Sequence, residues 1–231
     1  MIVLGLDTAT ADTVAGLIDT ERALELSARR PPSGGRPGHA RELLALAREL
    51  LDRADLAWEA LDRVVVGVGP GSFTGLRIGL SVAHGLALSL GATLVGVGTL
   101  AALADGLPAP ESGHRLAVID ARRGEVFVAA YAGGAEMAEP RALAPGEVAA
   151  FARALDPHAT WEAVGDGAIR FQDELRAGGV SVPEPEAPVH RVDGLAICRR
   201  GAAATDGHPA SVLPDYRRRP DAEIARHRRQ P

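Results

Sequence analysis

The feature that constrains the fold most is a buried strand joined to a long helix by a glycine-rich turn. Residues 63–68 (Arg-Val-Val-Val-Gly-Val) are almost continuously apolar and β-branched, a pattern typical of a strand covered on both faces. The segment 69–72 (Gly-Pro-Gly-Ser) is a turn by composition. Ser72 is suited to cap a helix that runs to about Leu90. This strand–turn–helix unit predicts an α/β protein.

The remaining hydrophobic patterns predict further strands and helices on both sides of this unit. Strands are predicted at 2–6, 13–18, 22–28, 93–97, 116–120, 125–131 and 161–164. Helices are predicted at 39–54, 56–62, 146–155, 168–176 and 193–204. Thr99 is predicted to cap one more short helix. A break rich in Gly and Pro at 106–114 separates two strand-rich groups. We therefore expect two lobes, residues 1–106 and residues 107–231, with the last segment packing back on the first lobe.

Composition excludes several kinds of chemistry. All 25 basic residues are arginine, so Schiff-base, P-loop and kinase-type lysines are absent. The single cysteine, Cys198, can form neither an internal disulfide nor a cysteine-based zinc site, and we expect it to be a buried apolar residue. The seven histidines show no metal-binding spacing, so no metal site is predicted. Asp120, Glu125 and Asp166 are candidate carboxylates at no diagnostic spacing, and no catalytic residue is assigned.

Charge is distributed unevenly along the chain. The net charge is −5, but residues 212–231 carry six arginines against three acids, which leaves −8 on the body. An acidic body argues against broad nucleic-acid binding. The arginine-rich end, 217–229, is typical of a solvated tail, and contact with RNA phosphates is the alternative. With no signal-peptide pattern and no uninterrupted apolar run of about 18 residues, we expect a cytoplasmic protein without a membrane span.

The glycine-rich segment 69–79 has two interpretations. Free amides and the helix dipole at a helix N-terminus can bind an anion. The alternative is a tight turn between strand and helix in which the glycines are needed only because they can adopt positive φ. The Gly-Lys-Ser/Thr of a Walker A loop is missing, since Leu76-Arg77 follows Gly75.

Small residues recur every four positions along the helix that follows this turn: Gly75, Gly79, Ala83 and Ala87. Small side chains at this spacing allow another backbone to approach closely. A glycine inside a helix costs about 1 kcal/mol relative to alanine, so the pattern needs a packing reason. Packing within the chain and pairing with a partner helix both satisfy it, and we predict a partner interface.

Six segments together resemble the TsaB (YeaZ) family. They are 2–10 (Ile-Val-Leu-Gly-Leu-Asp-Thr-Ala-Thr), 69–79 (Gly-Pro-Gly-Ser-Phe-Thr-Gly-Leu-Arg-Ile-Gly), 83–88, 98–100, 119–126 and 214–218, the last similar to the family's Pro-x-Tyr-x-Arg. The resemblance spans nearly the whole chain. It implies an α/β fold of the ASKHA (actin/Hsp70-like) type, with two lobes that each hold a mixed sheet and helices.

The resemblance also implies a function. The family supplies a non-catalytic scaffold to the complex that forms N6-threonylcarbamoyladenosine at position 37 of tRNAs reading ANN codons. Its members pair with and activate the catalytic paralogue TsaD, are joined by the ATPase TsaE, and form homodimers when alone. The chain would then be no enzyme by itself, meet tRNA indirectly, and hold ATP or ADP only within the complex. A stand-alone ATPase or kinase of the same fold is the alternative.

Particular residues follow from the resemblance. TsaD-like proteins carry His-x-x-x-His on the helix after the opening strands, whereas here Leu43 stands four positions after His39, which implies no metal site. Actin-like ATPases place an Asp-Gly-Thr-type hairpin at the phosphates, and the corresponding candidates are Asp7, Thr8 and Thr10, with no glycine after Asp7. The implied partner interface lies on two helices and comprises His39, Leu43, Leu44, Ala47, Leu51, Gly75, Arg77, Gly79, Ala83 and Ala87.

Overall fold

Nine strands form two mixed sheets in the part of the chain that the structure, a computed structural model, describes: residues 1–106, 113–205 and 211–217. The first sheet has the order β3-β2-β1-β4-β5. Its strands are β1 (Ile2–Asp7), β2 (Thr13–Asp19), β3 (Leu24–Arg30), β4 (Arg63–Gly67) and β5 (Thr93–Val97). Strand β4 runs parallel to β1 and is buried along its whole length, which confirms the strand predicted from its β-branched run.

Three helices accompany this sheet: α1 (His39–Ala54), α2 (Phe73–Leu90) and α3 (Thr99–Ala104). Helix α1 packs on β2 and α2 on β4, each through one apolar face. Ser72 is the N-cap of α2, as predicted, because its Oγ accepts a hydrogen bond from the Gly75 amide at 3.3 Å. Helix α2 ends at Gly91, whose φ of 67° suits glycine.

The second sheet has the order β8-β7-β6-β9. Its strands are β6 (His114–Arg122), β7 (Glu125–Ala132), β8 (Ala135–Leu143) and β9 (Glu162–Val164), and its helices are α4 (Val148–Leu155), α5 (Asp166–Arg170) and α6 (Gln172–Ala177). Strands β6 and β7 form the hairpin expected from their spacing.

The last helix, α7 (Gly194–Ala203), returns to the first sheet and packs against β1 and β2. Its Ile197 and Cys198 belong to a core cluster that takes residues from both sheets. Cys198 is fully buried, as expected from its sequence context. Residues 211–217 also lie against the first lobe, where the Asp215 amide donates to the Val68 carbonyl at 2.8 Å.

Several predicted elements need correction. Strand β8 was not predicted, because its largely exposed, charged sequence shows no apolar alternation. The helix predicted at 168–176 is two helices, α5 and α6, separated at Phe171. The segment predicted as a helix at 56–62 is a 3-10 turn at Trp58–Ala60. Thr99 is the first residue of α3 rather than its cap, which is Gly98. Residues 107–112, at the predicted lobe boundary, and 218–231, in the arginine-rich tail, lie outside the described residues.

Candidate functional site

A cleft of about 510 Å³ lies between the two sheets. The first lobe lines it with the turn after β1 and the start of α2, and the second lobe lines it with the turn after β6 and the start of α5. The segment 211–217 closes one side through Tyr216 and Arg217. The fold thus brings together the glycine-rich segment, the Asp120 segment and the Pro-x-Tyr-x-Arg segment, which are far apart in sequence.

Asp7 lies beneath this cleft rather than in it. The side chain is fully buried, and its two oxygens accept hydrogen bonds from the Ala9 amide and the Thr99 hydroxyl, each at 2.8 Å. A Cβ at Gly67 would overlap the carboxylate, so the group is enclosed on that side too. Burial raises the pKa of Asp7 to about 6, against the lowering effect of its two donors.

The other two nucleotide candidates differ from each other. Thr8 is buried, and its hydroxyl donates to the Gly75 carbonyl at 2.8 Å, which ties the turn after β1 to α2. Thr10 is partly exposed and lines the cleft. Only Thr10 of the three candidates is therefore positioned to contact a ligand there.

Two of the three candidate carboxylates meet on the opposite wall. The Asp120 amide donates to Asp166 Oδ1 at 3.0 Å, and the Asp120 carboxylate accepts from Arg170 at 2.7 Å. Burial raises the pKa of Asp166 above its ordinary value. Glu125 does not line the cleft. The pair was not predictable from spacing. Asp120 lies near the end of β6 and Asp166 follows β9 at the start of α5, and the parallel pairing of β6 with β9 brings the two residues together.

The fold implied by the resemblance suggests a magnesium-bound nucleotide in such a cleft. Asp7, the acid expected near the phosphates, cannot reach a ligand because both of its oxygens are engaged inside the lobe. Among the described residues, no three His, Cys, Asp or Glu side chains are grouped to hold a metal ion. The residues present therefore do not fit a magnesium-bound nucleotide.

The predicted interface residues divide into two unequal groups. Eight of the ten are buried within the chain: His39, Leu43, Ala47, Leu51, Gly75, Gly79, Ala83 and Ala87. A Cβ at Gly79 would overlap the Thr8 hydroxyl, and one at Gly75 would overlap the Thr8 carbonyl. The small-residue stripe is thus explained by packing within the chain, and the expectation that these eight side chains face a partner needs correction. Leu44 and Arg77 are exposed.

Sequence reasoning missed the exposed apolar residues on the opposite side of α2. Leu88 is 87% exposed, and Leu213, in the neighbouring C-terminal segment, is 67% exposed. Helix α2 alone among the described helices is long and apolar enough to cross a membrane by length and composition, with a mean hydropathy of 1.3 over 18 residues. Its inner face belongs to the first-lobe core. The signal that was available in the sequence is the high mean hydropathy of the helix, which exceeds what one buried face requires.

Comparison with known proteins gives a consistent result. The family described as "TsaD: tRNA N6-adenosine threonylcarbamoyltransferase" matches residues 31–185, more than half of the chain. The uncharacterized protein Rv3421c of Mycobacterium tuberculosis is 32% identical over 96% of this chain and 93% of its own length. The solved structure of YeaZ from Pseudomonas aeruginosa has a TM-score of 0.76 and 30% identity, covering 93% of this chain and 99% of that one. The chain belongs to the TsaB (YeaZ) family.

Named TsaB proteins match over shorter stretches. The "tRNA threonylcarbamoyladenosine biosynthesis protein TsaB" of Escherichia coli is 36% identical over 57% of this chain, and the match spans 55% of its own length. The uncharacterized protein ML0378 of Mycobacterium leprae is 38% identical over 64% of this chain, and the chain spans 40% of its length. The two mixed sheets with their helices match the fold of the solved YeaZ structure, which confirms the predicted α/β class.

Proposed function

We propose that the chain is a non-catalytic scaffold in the formation of N6-threonylcarbamoyladenosine at position 37 of ANN-decoding tRNAs. In this role it pairs with and activates a catalytic paralogue of the TsaD type. The named TsaB relatives support the pathway, and the match to the TsaD description supports a partner of related fold. Because tRNA is the substrate of the complex, the proposed location is the cytoplasm.

The observation that carries the pairing is the outer face of α1 and α2. Helix α2 has a mean hydropathy of 1.3 over its 18 residues, yet only a third of it is buried in the isolated chain. Leu88 on α2 is exposed, and so are Leu44 on α1, by 47%, and the neighbouring Leu213. Exposed apolar side chains on a helix are stabilised when a partner covers them, and we infer that the catalytic paralogue is that partner. The proposed pairing surface therefore still lies on the two predicted helices. It consists of these exposed side chains rather than of the buried ones.

The wider complex is part of the same proposal. The isolated chain would form a homodimer through the same face, and TsaE would join the pair. The chain would meet tRNA indirectly, through the complex. ATP or ADP would bind within that complex rather than to this chain, because Asp7 is closed off from the cleft. The competing function is a stand-alone ATPase or kinase. Steady ATP hydrolysis by the purified chain, lost in Asp7→Ala, would favour that competitor.

Sedimentation velocity of the chain with its TsaD-type partner tests the pairing. The wild type should form a one-to-one complex, and Leu44→Glu and Leu88→Glu should each weaken it at least about tenfold, since a charge would be buried in an apolar contact. Met137→Glu, on the exposed strand β8, introduces the same charge on the other lobe and should pair normally. No complex for the wild type, or equal pairing by all three variants, would contradict the proposal.

A further inference from the structure

Segment 211–217 reaches both the pairing surface and the cleft. Leu213, near its middle, is 67% exposed and belongs to the proposed pairing surface. Tyr216 and Arg217, three and four residues later, line the cleft. Four residues of chain span at most about 14 Å, and no helix or strand separates these positions. A displacement of the segment at one of the two places therefore displaces it at the other.

One buried side chain fixes the first half of the segment. Val212 is 8% exposed and packs with the inner face of α2 in the first-lobe core cluster. A Cβ at Gly96 of β5 would lie 3.0 Å from Val212 Cγ1, so the glycine leaves room for this side chain. His84 Nε2, one helical turn before Leu88, donates to the Val212 carbonyl at 3.2 Å. These contacts hold Leu213 beside the exposed apolar side of α2.

An aromatic contact fixes the second half of the segment. Tyr216 packs on Phe73 at the start of α2, with ring centroids 5.1 Å apart. Arg77 Nε donates to the Tyr216 hydroxyl at 3.2 Å, and the Arg77 guanidinium lies 3.9 Å from the Phe73 centroid. The Asp215 amide donates to the Val68 carbonyl of the first lobe at 2.8 Å. Tyr216 is thus held against α2, yet it lines the cleft and 41% of it stays exposed.

Arg217 brings the segment to the second lobe. Its Nε lies 2.6 Å from Asp215 Oδ1, and its Nη1 lies 3.6 Å from Glu139 Oε2 of β8. The Glu139 side chain is 84% exposed, so this ion pair contributes little energy. The pair shows where the segment ends, which is at the mouth of the cleft between the two lobes.

Few contacts hold the segment in place. Of its seven residues, Ser211, Leu213, Tyr216 and Arg217 are exposed and only Val212 is buried. A segment with so few buried contacts opens locally at a lower free energy than the core does. A partner that covers Leu213 favours the segment packed on α2 over an open form, and so shifts the population toward the packed form. Linkage requires the reverse effect as well, so loosening the segment at the cleft weakens pairing.

We propose that segment 211–217 couples pairing to the cleft. When the catalytic paralogue covers Leu213, the segment is held on α2, and Tyr216 and Arg217 are held in the cleft wall. Tyr216 is a positioning residue for pairing, which acts through Leu213 without contacting the partner. The inference rests on the proposed function, which supplies the partner, and it adds that the shape of the cleft depends on pairing.

Fluorine NMR of the full chain observes Tyr216 directly. The chain has two tyrosines, and the other, Tyr131, is buried in the core cluster that takes residues from both sheets. Protein that contains 3-fluorotyrosine therefore gives two resonances, which Tyr216→Phe assigns. Saturation with an unlabelled TsaD-type partner should shift the Tyr216 resonance and leave that of Tyr131 in place. In Leu213→Ala, which keeps Leu44 and Leu88, saturation with the partner should leave the Tyr216 resonance where it is in the free chain.

Two results of this experiment would overturn the coupling. An unchanged Tyr216 resonance in the saturated wild-type complex would show that pairing does not affect the cleft wall. An equal shift in the wild type and in Leu213→Ala would show that the partner contacts the cleft directly. Sedimentation velocity of each sample establishes that the complex has formed.

A double-mutant cycle measures the same coupling as an affinity. Tyr216→Ala should weaken pairing about fivefold. Tyr216→Phe is the matched control, because it keeps the ring on Phe73 and should pair like the wild type. In a Leu213→Ala background, Tyr216→Ala should have no further effect, since the coupling passes through Leu213. Losses that simply add would show that the two residues act independently, and the inference would be wrong.

A variant of the chain alone keeps the test independent of the partner. Val212→Ala removes the buried contact of the first half, so the Tyr216 resonance should move toward its position in urea-unfolded protein while that of Tyr131 stays. A fixed Tyr216 resonance would mean that the two halves of the segment are independent, which defeats the inference. Circular dichroism excludes misfolded variants. Wild-type pairing with an unchanged Tyr216 resonance leaves the proposed function standing, whereas no wild-type pairing contradicts the proposed function itself.

Discussion

Asp7 shows how one buried carboxylate links stability to pH. Burial raises its pKa in the folded protein to about 6, whereas the ordinary pKa of an aspartate in an unfolded chain is 3.8. Between these two values the unfolded chain releases a proton that the folded protein retains, so folding becomes less favourable as pH rises. This loss of stability is complete at pH values above the pKa of Asp7 in the folded protein. It is absent at pH values below the pKa of Asp7 in the unfolded chain. About two pKa units correspond to about 3 kcal/mol.

Asp7→Asn removes this titration and should reveal it. Urea unfolding of both proteins between pH 4 and pH 7 should show the wild type losing about 2.4 kcal/mol relative to Asp7→Asn over that range. The measurement compares two curves at each pH, so contributions from other titrating groups cancel. A constant difference from pH 4 to pH 7 would show that Asp7 is ionised throughout and that the carboxylate is better solvated than its burial indicates.

Single residues were predictable where the cause is local. Ser72 caps α2 and Cys198 is buried, and both follow from neighbouring residue types. The sequence makes Asp7 a candidate ligand because its position resembles a phosphate hairpin, yet its hydrogen-bond partner Thr99 lies 92 residues away. The contact of Asp120 with Asp166 depends on strand pairing in the same way. Partners set by tertiary packing have no signature in residue spacing.

At the scale of elements, two of the three glycines of α2 lie in opposite environments. Gly79 faces the turn after β1, where a Cβ would overlap the Thr8 hydroxyl. Gly85 is exposed, and a Cβ there would meet nothing within 4 Å. Gly79→Ala should therefore lower the free energy of unfolding by about 1–3 kcal/mol through overpacking. Gly85→Ala should raise it by about 0.5–1 kcal/mol through helix propensity.

Urea denaturation of this matched pair checks the orientation of the helix. Both substitutions add one methyl group to the same helix, so propensity alone predicts the same sign for both. Stabilisation by both would mean that the inner face of α2 has room for a partner's backbone, as the four-residue stripe first indicated. Opposite signs would establish that the stripe serves packing within the chain.

Elements with strong apolar periodicity were predictable, and those without it were not. The buried strand β4 and helix α1 follow from their residue patterns. A strand buried on both faces has a continuous apolar run, and a helix buried on one face has apolar residues at three- and four-residue steps. Strand β8 is largely exposed and is held by its pairing with β7, so its sequence carries no alternation. Helix α7 was predicted as a helix, but its position on the first sheet depends on contacts with β1 and β2.

At the scale of the whole molecule, one of the core clusters joins the two lobes, while others belong to a single lobe. A cluster of buried residues takes Val3 and Val65 from the first sheet, Ile119 and Phe127 from the second, and Ile197 from α7. Arg200 of α7 also pairs in bidentate fashion with Asp105 after α3, with N–O distances of 2.6 and 2.7 Å. A core that crosses between the sheets predicts that the described part of the chain unfolds in one cooperative step.

Cys198 provides a probe of this cooperativity, because it is the only thiol in the chain and lies fully buried between α7 and β1. Burial also raises its pKa, which suppresses the reactive thiolate. Labelling by a thiol reagent should be on the order of 10⁴-fold slower than for an exposed thiol, because it requires unfolding of a domain of ordinary stability. The free energy of opening obtained from labelling should equal the free energy of unfolding in urea.

Ser81→Cys in a Cys198→Ala background gives the exposed reference on α2. If labelling reports a much smaller free energy than urea, α7 detaches by itself while both sheets stay folded, and the shared cluster does not bind the lobes into one cooperative unit.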